Sequence, residues 1–185
     1  MRRCTSPSNE LLVLGPENSG KSLLINRLKQ LCIDSEDEGD HSEATIPTVG
    51  VDISTVEINE TSLTIREIGA TMASKWDCYM SECSALLFVI DASDLGAVAS
   101  DLVLLHEILS NRPLLFKKPF AILFNKTDLV EDPSSIATIY NVLRIEEIQN
   151  ENRDFLDIIL LSGSSIAKDS SAFCVRAWLQ SSVLL

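Results

Sequence analysis

The sequence has no apolar run approaching the roughly 20 residues that a membrane span requires. Aromatic residues are scarce, at 5% of 185. The core is therefore expected to rest on Leu, Ile and Val, within a hydrophobic fraction of 45% that a disordered chain does not carry. Basic residues are outnumbered, 15 Lys and Arg against 27 Asp and Glu, for a net charge of −12. Nonspecific binding of nucleic acid or of an anionic membrane needs a basic face, so neither is expected. A single nucleotide is not excluded. Backbone N–H groups and one Lys can hold a small anion inside an acidic protein.

Cysteine usage is equally uninformative for bridging. The five cysteines, Cys4, Cys32, Cys78, Cys83 and Cys174, are scattered and odd in number. Cys78 and Cys83 do not have a zinc-site spacing. They read as reduced thiols of a cytoplasmic protein, mostly small apolar fillers. Met1-Arg2-Arg3-Cys4 lacks the apolar core of a signal peptide, and Arg2 does not accept myristate. The end, Ser181 to Leu185, offers no Cys for prenylation. Cys4 reads as unmodified, so no stable membrane anchor is expected. His41 and His106 are assigned no role.

What is present is a rhythm of strands and helices. Glu10–Leu14 is a short apolar run ending at Gly15, followed by helical spacing at Leu24, Leu28 and Leu31. Val51, Ile53, Val56 and Ile58 form a β-rich stretch whose alternation slips at Ser54-Thr55, and Asn59-Glu60 predicts a hairpin turn into Leu63, Ile65 and Ile68. Ala85–Ile90 and Phe120–Phe124 are continuous apolar runs, expected as strands buried on both faces. Val98, Leu102, Leu105 and Leu109 predict a helix stopped by Pro113; Pro133 opens another to about Leu143. Phe155–Leu161 is the last strand, and Cys174, Val175, Trp178 and Leu179 give the apolar face of a terminal helix. Trp76 is left undecided between core and interface. The prediction is an α/β, three-layer P-loop NTPase fold, with a mostly parallel six-stranded sheet, one antiparallel hairpin and helices on both faces. Residues 1–185 are read as one domain, with a short extension at 1–9 and an acidic loop at 33–45.

Three polar segments fall at the carboxyl ends of these strands, where such sheets bind ligands. Gly15-Pro16-Glu17-Asn18-Ser19-Gly20-Lys21-Ser22 fits G-x-x-x-x-G-K-[ST] between a strand and a helix. Its glycines permit a tight wrap, so that the amides of Glu17, Asn18, Ser19, Gly20 and onward to Leu23 face phosphates. Lys21 supplies charge to the β and γ phosphates, and the Ser22 hydroxyl is a Mg²⁺ ligand. Asn125-Lys126-Thr127-Asp128 is the base reader. The Asp128 carboxylate accepts from N1–H and the 2-amino group of guanine, donors that adenine lacks. Asn125 ties this loop to the phosphate loop, and the Lys126 stem lies along the base. Ser162, Gly163 and Ser164 are candidates to offer a backbone N–H to the guanine O6.

With these segments in this order, the chain resembles the Ras-type small GTPases, and their Arf-like branch most closely. Ile46-Pro47-Thr48-Val49-Gly50 resembles that branch's P-T-[IV]-G switch, and Trp178-Leu179 its C-terminal W-L. The resemblance implies a GTP/GDP switch in which Thr48 contacts Mg²⁺ and the γ-phosphate in the GTP state. It also implies protein effectors and regulators at the switch regions, and a monomer. Departures are specific. The family's D-x-G-G-Q is matched by Glu67-Ile68-Gly69-Ala70-Thr71. Ala70 keeps the N–H that faces the γ-phosphate, but Thr71 replaces the Gln that orients the attacking water, so intrinsic hydrolysis is expected to be slow. Val51 stands in place of Phe and Arg66 in place of Trp, while Tyr79 is kept; the partners are therefore not expected to be those of typical Arf proteins. The family's N-terminal glycine and amphipathic helix are not matched.

Three functions stay in view. The first is a GTP-dependent switch. The second is a scaffold that holds nucleotide without cycling. The third, a small-molecule P-loop kinase, needs an Arg-rich lid. Only Arg144 and Arg153 are near, among Glu146, Glu147, Glu151 and Asp154.

Overall fold

The computed structural model describes residues 9–32, 48, 50–132, 134–154, 156–166 and 171–184. The acidic loop at 33–45, Cys4, His41, Pro47 and Pro133 lie outside them.

The apolar run Glu10–Leu14 forms strand β1, with every residue buried. Helix α1, Lys21–Cys32, follows the glycine-rich loop and buries Leu24, Ile25 and Leu28. Strands β2, Val51–Ile58, and β3, Thr61–Ile68, pair antiparallel around Asn59 and Glu60. Both turn residues have positive φ, +50° and +62°, as a two-residue hairpin matched to strand twist demands. A 3₁₀ segment, Ala70–Lys75, leads into α2, Trp76–Met80. Strand β4, Ala85–Asp91, helix α3, Val98–Ser110, and a short α4, Arg112–Leu115, come next. Then come β5, Phe120–Asn125, a 3₁₀ turn Thr127–Leu129, α5, Ser134–Val142, and α6, Ile145–Asn152. Strand β6, Ile158–Ser162, and helix α7, Ser171–Ser182, complete the described order.

The sheet order is β2-β3-β1-β4-β5-β6, parallel apart from the β2–β3 pair. Alternate residues of the central strands feed two separate cores. Leu12, Leu14, Phe88, Ile90, Ile122 and Phe124 face α2, α3, α5 and α6. Leu11, Val13, Leu87, Val89 and Leu123 face α1 and α7. This is the three-layer arrangement anticipated from the run lengths.

Some elements differ from expectation. Pro113 does not terminate α3 outright; it sits in the first turn of α4, where its missing N–H costs no helical bond. Helix α6 was not foreseen. Arg144, at φ +52°, breaks what would be one long helix, and Ile145 and Ile148 then turn a second one onto the core. Strand β6 starts at Ile158, later than anticipated. The slip in β2 is real: Val56 and Ile58 are buried, but Val51 and Ile53 lie on the opposite face of this edge strand and are exposed. Among the described cysteines, Cys83 is a buried filler, whereas Cys78 is exposed and Cys32 and Cys174 are half-buried. Trp76 is core, packed edge-on to Phe88 with centroids 6.4 Å apart. His106 is exposed.

Candidate functional site

The carboxyl ends of β1, β3 and β5 bring the expected segments together. Gly15 leaves β1 with φ +144°, and a Cβ there would lie 2.3 Å from the Val89 carbonyl oxygen. The loop therefore runs flat against β4, a course no side chain permits. Gly15→Ala is expected to cost about 2–4 kcal/mol of stability, read as a lowered urea midpoint; an unchanged midpoint would mean that the close approach is not needed for the fold.

Lys21 opens α1 and is buried. Its ammonium donates to Gly15 O at 3.1 Å, Pro16 O at 2.6 Å and Ser19 Oγ at 3.3 Å. The loop is thus folded around the cation. Burial lowers the pKa of Lys21 to about 8, against the opposing pull of Glu67 and Glu17. A desolvated ammonium at a helix N-terminus favours an anion beside it. Glu17 and Asn18 form the exposed tip, Ser19 is fully buried, and Ser22 and Leu23 are half-buried.

Next to Ser22 three oxygens converge. Its hydroxyl donates to Glu67 Oε1 at 2.7 Å and lies 3.1 Å from Thr48 Oγ1, which in turn donates to Glu67 Oε1 at 3.2 Å. Glu67 is almost fully buried at the end of β3. Two hydroxyls and a carboxylate form a hard, all-oxygen set that fits Mg²⁺ completed by phosphate and water. Thr48 reaches this cluster from a separate stretch of chain. Gly69 stands against it: its N–H donates to Gly50 O at 2.9 Å, and a Cβ would lie 2.3 Å from Thr48 O. Ala70 and Thr71 begin the 3₁₀ segment, Thr71 exposed.

At the end of β5, Asn125 is fully buried. Its Nδ2 donates to Ser19 O at 2.8 Å, so the end of β5 is tied to the glycine-rich loop by a direct bond, as expected. Its Oδ1 accepts from Ser165 Oγ at 3.0 Å and Ser171 Oγ at 2.7 Å. These two serines were not foreseen; nothing in the Ser-rich run Ser162–Ser171 marks which hydroxyls turn inward. Lys126 adopts the left-handed conformation, φ +59°, and its ammonium pairs with Asp91 Oδ2 at 2.6 Å. Burial alone would raise the pKa of Asp91, but bonds from Lys126 and Ser93 outweigh it and hold the carboxyl below its ordinary range. Asp128 projects exposed from the 3₁₀ turn. Thr127 N–H donates to Gly163 O at 3.2 Å, which fixes this turn to the loop after β6. Gly163 N–H is engaged with Phe124 O at 3.0 Å and so is not the base-facing donor. Ser162 is exposed, and Ser164 is buried with its carbonyl accepting from Ser171 N–H at 2.7 Å.

The glycine-rich loop around Lys21, the oxygen cluster of Ser22, Thr48 and Glu67, and the turn Asn125–Asp128 therefore share one rim of the sheet. Residues 3–182 match the model of the ADP-ribosylation factor family. The chain belongs to this family. ADP-ribosylation factor-like protein 16 of Homo sapiens is 34% identical over 91% of this chain and 83% of its own length. ADP-ribosylation factor-like protein 9 of Homo sapiens is 28% identical, over 80% of this chain and 74% of its own. The Arl6 BBS3 small GTPase from Trypanosoma brucei, solved with the bound nucleotide analogue GppNp, shares the fold at a TM-score of 0.76 and 19% identity, covering 96% of this chain and 98% of its own. The chain is thus an Arf-like GTP-binding protein of the Ras superfamily. Within that family, Arg66 does not read as a simple loss of an aromatic. Its guanidinium bonds Glu10 and Glu82 and lies 5.4 Å from the centre of the Tyr79 ring, so it sets a positive charge over that ring. No helix among the described residues is long and apolar enough to cross a membrane.

Proposed function

We propose that this Arf-like protein is a slow GTP/GDP switch, with the nucleotide phosphates on the loop Gly15–Leu23 and guanine on Asn125–Asp128. The observation that carries this reading is the convergence of Ser22, Thr48 and Glu67 beside the buried Lys21. In the proposal, Ser22 and Thr48 are Mg²⁺ ligands and Glu67 accepts from a metal-bound water. Bound Mg²⁺ neutralises charge on the β and γ phosphates. Thr48 and the Ala70 amide contact the γ-phosphate only while it is present, which gives the two states their differential contact; the Gly69 N–H joins them only by leaving the Gly50 carbonyl. Residues 1–185 act as a single cytoplasmic, monomeric domain. Effectors and regulators read the ordered switch segments; nucleic acid and stable membrane anchorage are not part of the reading.

Nucleotide identified after purification, with and without Mg²⁺, tests the proposal. Guanine nucleotide retained more tightly with Mg²⁺ supports it, and retained adenine nucleotide refutes it. Thr71 sets the rate. Its short hydroxyl cannot hold a water as a Gln amide does, so Thr71→Gln is expected to raise single-turnover GTP hydrolysis about tenfold or more. The alternative, a scaffold that holds nucleotide without cycling, draws on the same triplet of Glu67, Ala70 and Thr71. Absence of turnover in Thr71→Gln, even with cell extract as a source of activators, favours the scaffold.

A further inference from the structure

Helix α3 carries an acid where its core-facing stripe calls for an apolar residue. Asp101 lies three residues after Val98 and four before Leu105, both buried, and is itself only 1% exposed. Neither carboxyl oxygen has a hydrogen-bond partner among the described residues. A buried, unbonded carboxylate is costly, and a side chain in that position resists ionisation. The charged groups that face it are Lys21 from α1, Asp91 at the end of β4 and Asp94 in the turn that follows. Helix α5, packed against α3, has no charged residue. Lys21 does not bond Asp101, because its ammonium is committed to the phosphate loop. Burial first, then Asp94 and Asp91, pushes the Asp101 carboxyl up to about 6, against the weaker pull of Lys21.

We infer that Asp101 is a proton-linked determinant of nucleotide affinity: the site binds guanine nucleotide more tightly with a proton on this buried carboxyl, and takes up that proton as it loads. The inference rests on the nucleotide reading above. Phosphates held at Lys21 cancel the positive charge there, which favours ionised Asp101. They also add negative charge on the same side. The carboxyl in the loaded protein therefore titrates higher than in the empty one. By linkage, affinity is greatest below the empty-state value, falls as pH rises from about 6, and levels off above the loaded-state value. Asp101→Asn mimics the protonated side chain at every pH.

The test is the dissociation constant of fluorescently labelled GDP, with Mg²⁺, from about pH 5.5 to about pH 8, for the wild type and Asp101→Asn. Asp101 is one of the carboxylates that raise the Lys21 pKa, so Lys21 titrates lower in the variant; that difference opposes the gain expected at the alkaline end and cannot produce it. The two proteins are expected to bind alike at the acid end. At the alkaline end the variant binds more tightly, by about threefold to tenfold, within the ordinary range of site–site coupling. A merely structural role for Asp101 would weaken binding on substitution and could not strengthen it. Parallel pH curves, or weaker binding by Asp101→Asn at pH 8, overturn the inference. Asp101→Ser, a second neutral replacement, must follow the same pattern and decides the matter if the asparagine variant fails to fold. Folded protein that binds no GDP at any pH, wild type included, refutes the nucleotide reading itself and this inference with it. Binding that is tight but free of any difference between the curves refutes the inference alone.

Discussion

Lys21→Ala is expected to weaken GDP and GTP binding by on the order of a hundredfold to a thousandfold. The figure follows from removing one partner of a buried, charge-assisted contact, which costs about 2–5 kcal/mol. Two losses combine. The phosphates lose their point charge, and the loop loses the three bonds that fold it around the ammonium at Gly15, Pro16 and Ser19. Lys21→Arg is expected to fail almost as badly, since a planar fork does not fit a space shaped for a compact cation. Calorimetry on nucleotide-stripped protein measures both, with the thermal midpoint as a control for folding. Affinity within about threefold of wild type in a folded Lys21→Ala protein would remove the loop from the binding site.

The second large effect concerns the base. Asp128→Asn is expected to lower GDP affinity by about a hundredfold and to erase most of the preference for GDP over ADP. Asparagine sets an amide donor against the 2-amino donor of guanine, leaving both unpaired. The same amide suits a purine bearing a carbonyl at that carbon, so xanthosine diphosphate is expected to bind the variant better than the wild type. Competition titration with the three diphosphates reads this out. An unchanged preference for GDP over ADP would show that another group reads the ring.

The parts of this molecule that were legible in the sequence are those written in short-range chemistry. A glycine-rich turn closing on Lys21 has few alternatives, and the unbroken runs Ala85–Ile90 and Phe120–Phe124 fit strands covered on both faces. The hairpin turn at Asn59-Glu60 was legible because a polar pair separates two β-rich runs there and Asn tolerates the positive φ it adopts, although Glu60 takes a positive φ it does not favour. What escaped depends on the third dimension. Arg144 gives no hint that it takes the left-handed conformation and splits α5 from α6. Val51 and Ile53 look like core residues until their place on an edge strand exposes them. Ser165 and Ser171 bond Asn125 across about forty residues of intervening chain, a distance no local pattern records. Asp101 had a signal, an acid on the stripe of Val98 and Leu105, but a single polar residue in a helical repeat is indistinguishable from a phase error.

Asn125 joins loops that come from three different strands, through Ser19 on one side and Ser165 and Ser171 on the other. A residue so placed makes the rim behave as one lid hinged at many points. Pulling on the first turn of α7 is therefore expected to loosen the loops of the proposed nucleotide site. An inhibitor or partner seated at that turn would hasten escape of the guest from behind, without competing for its place.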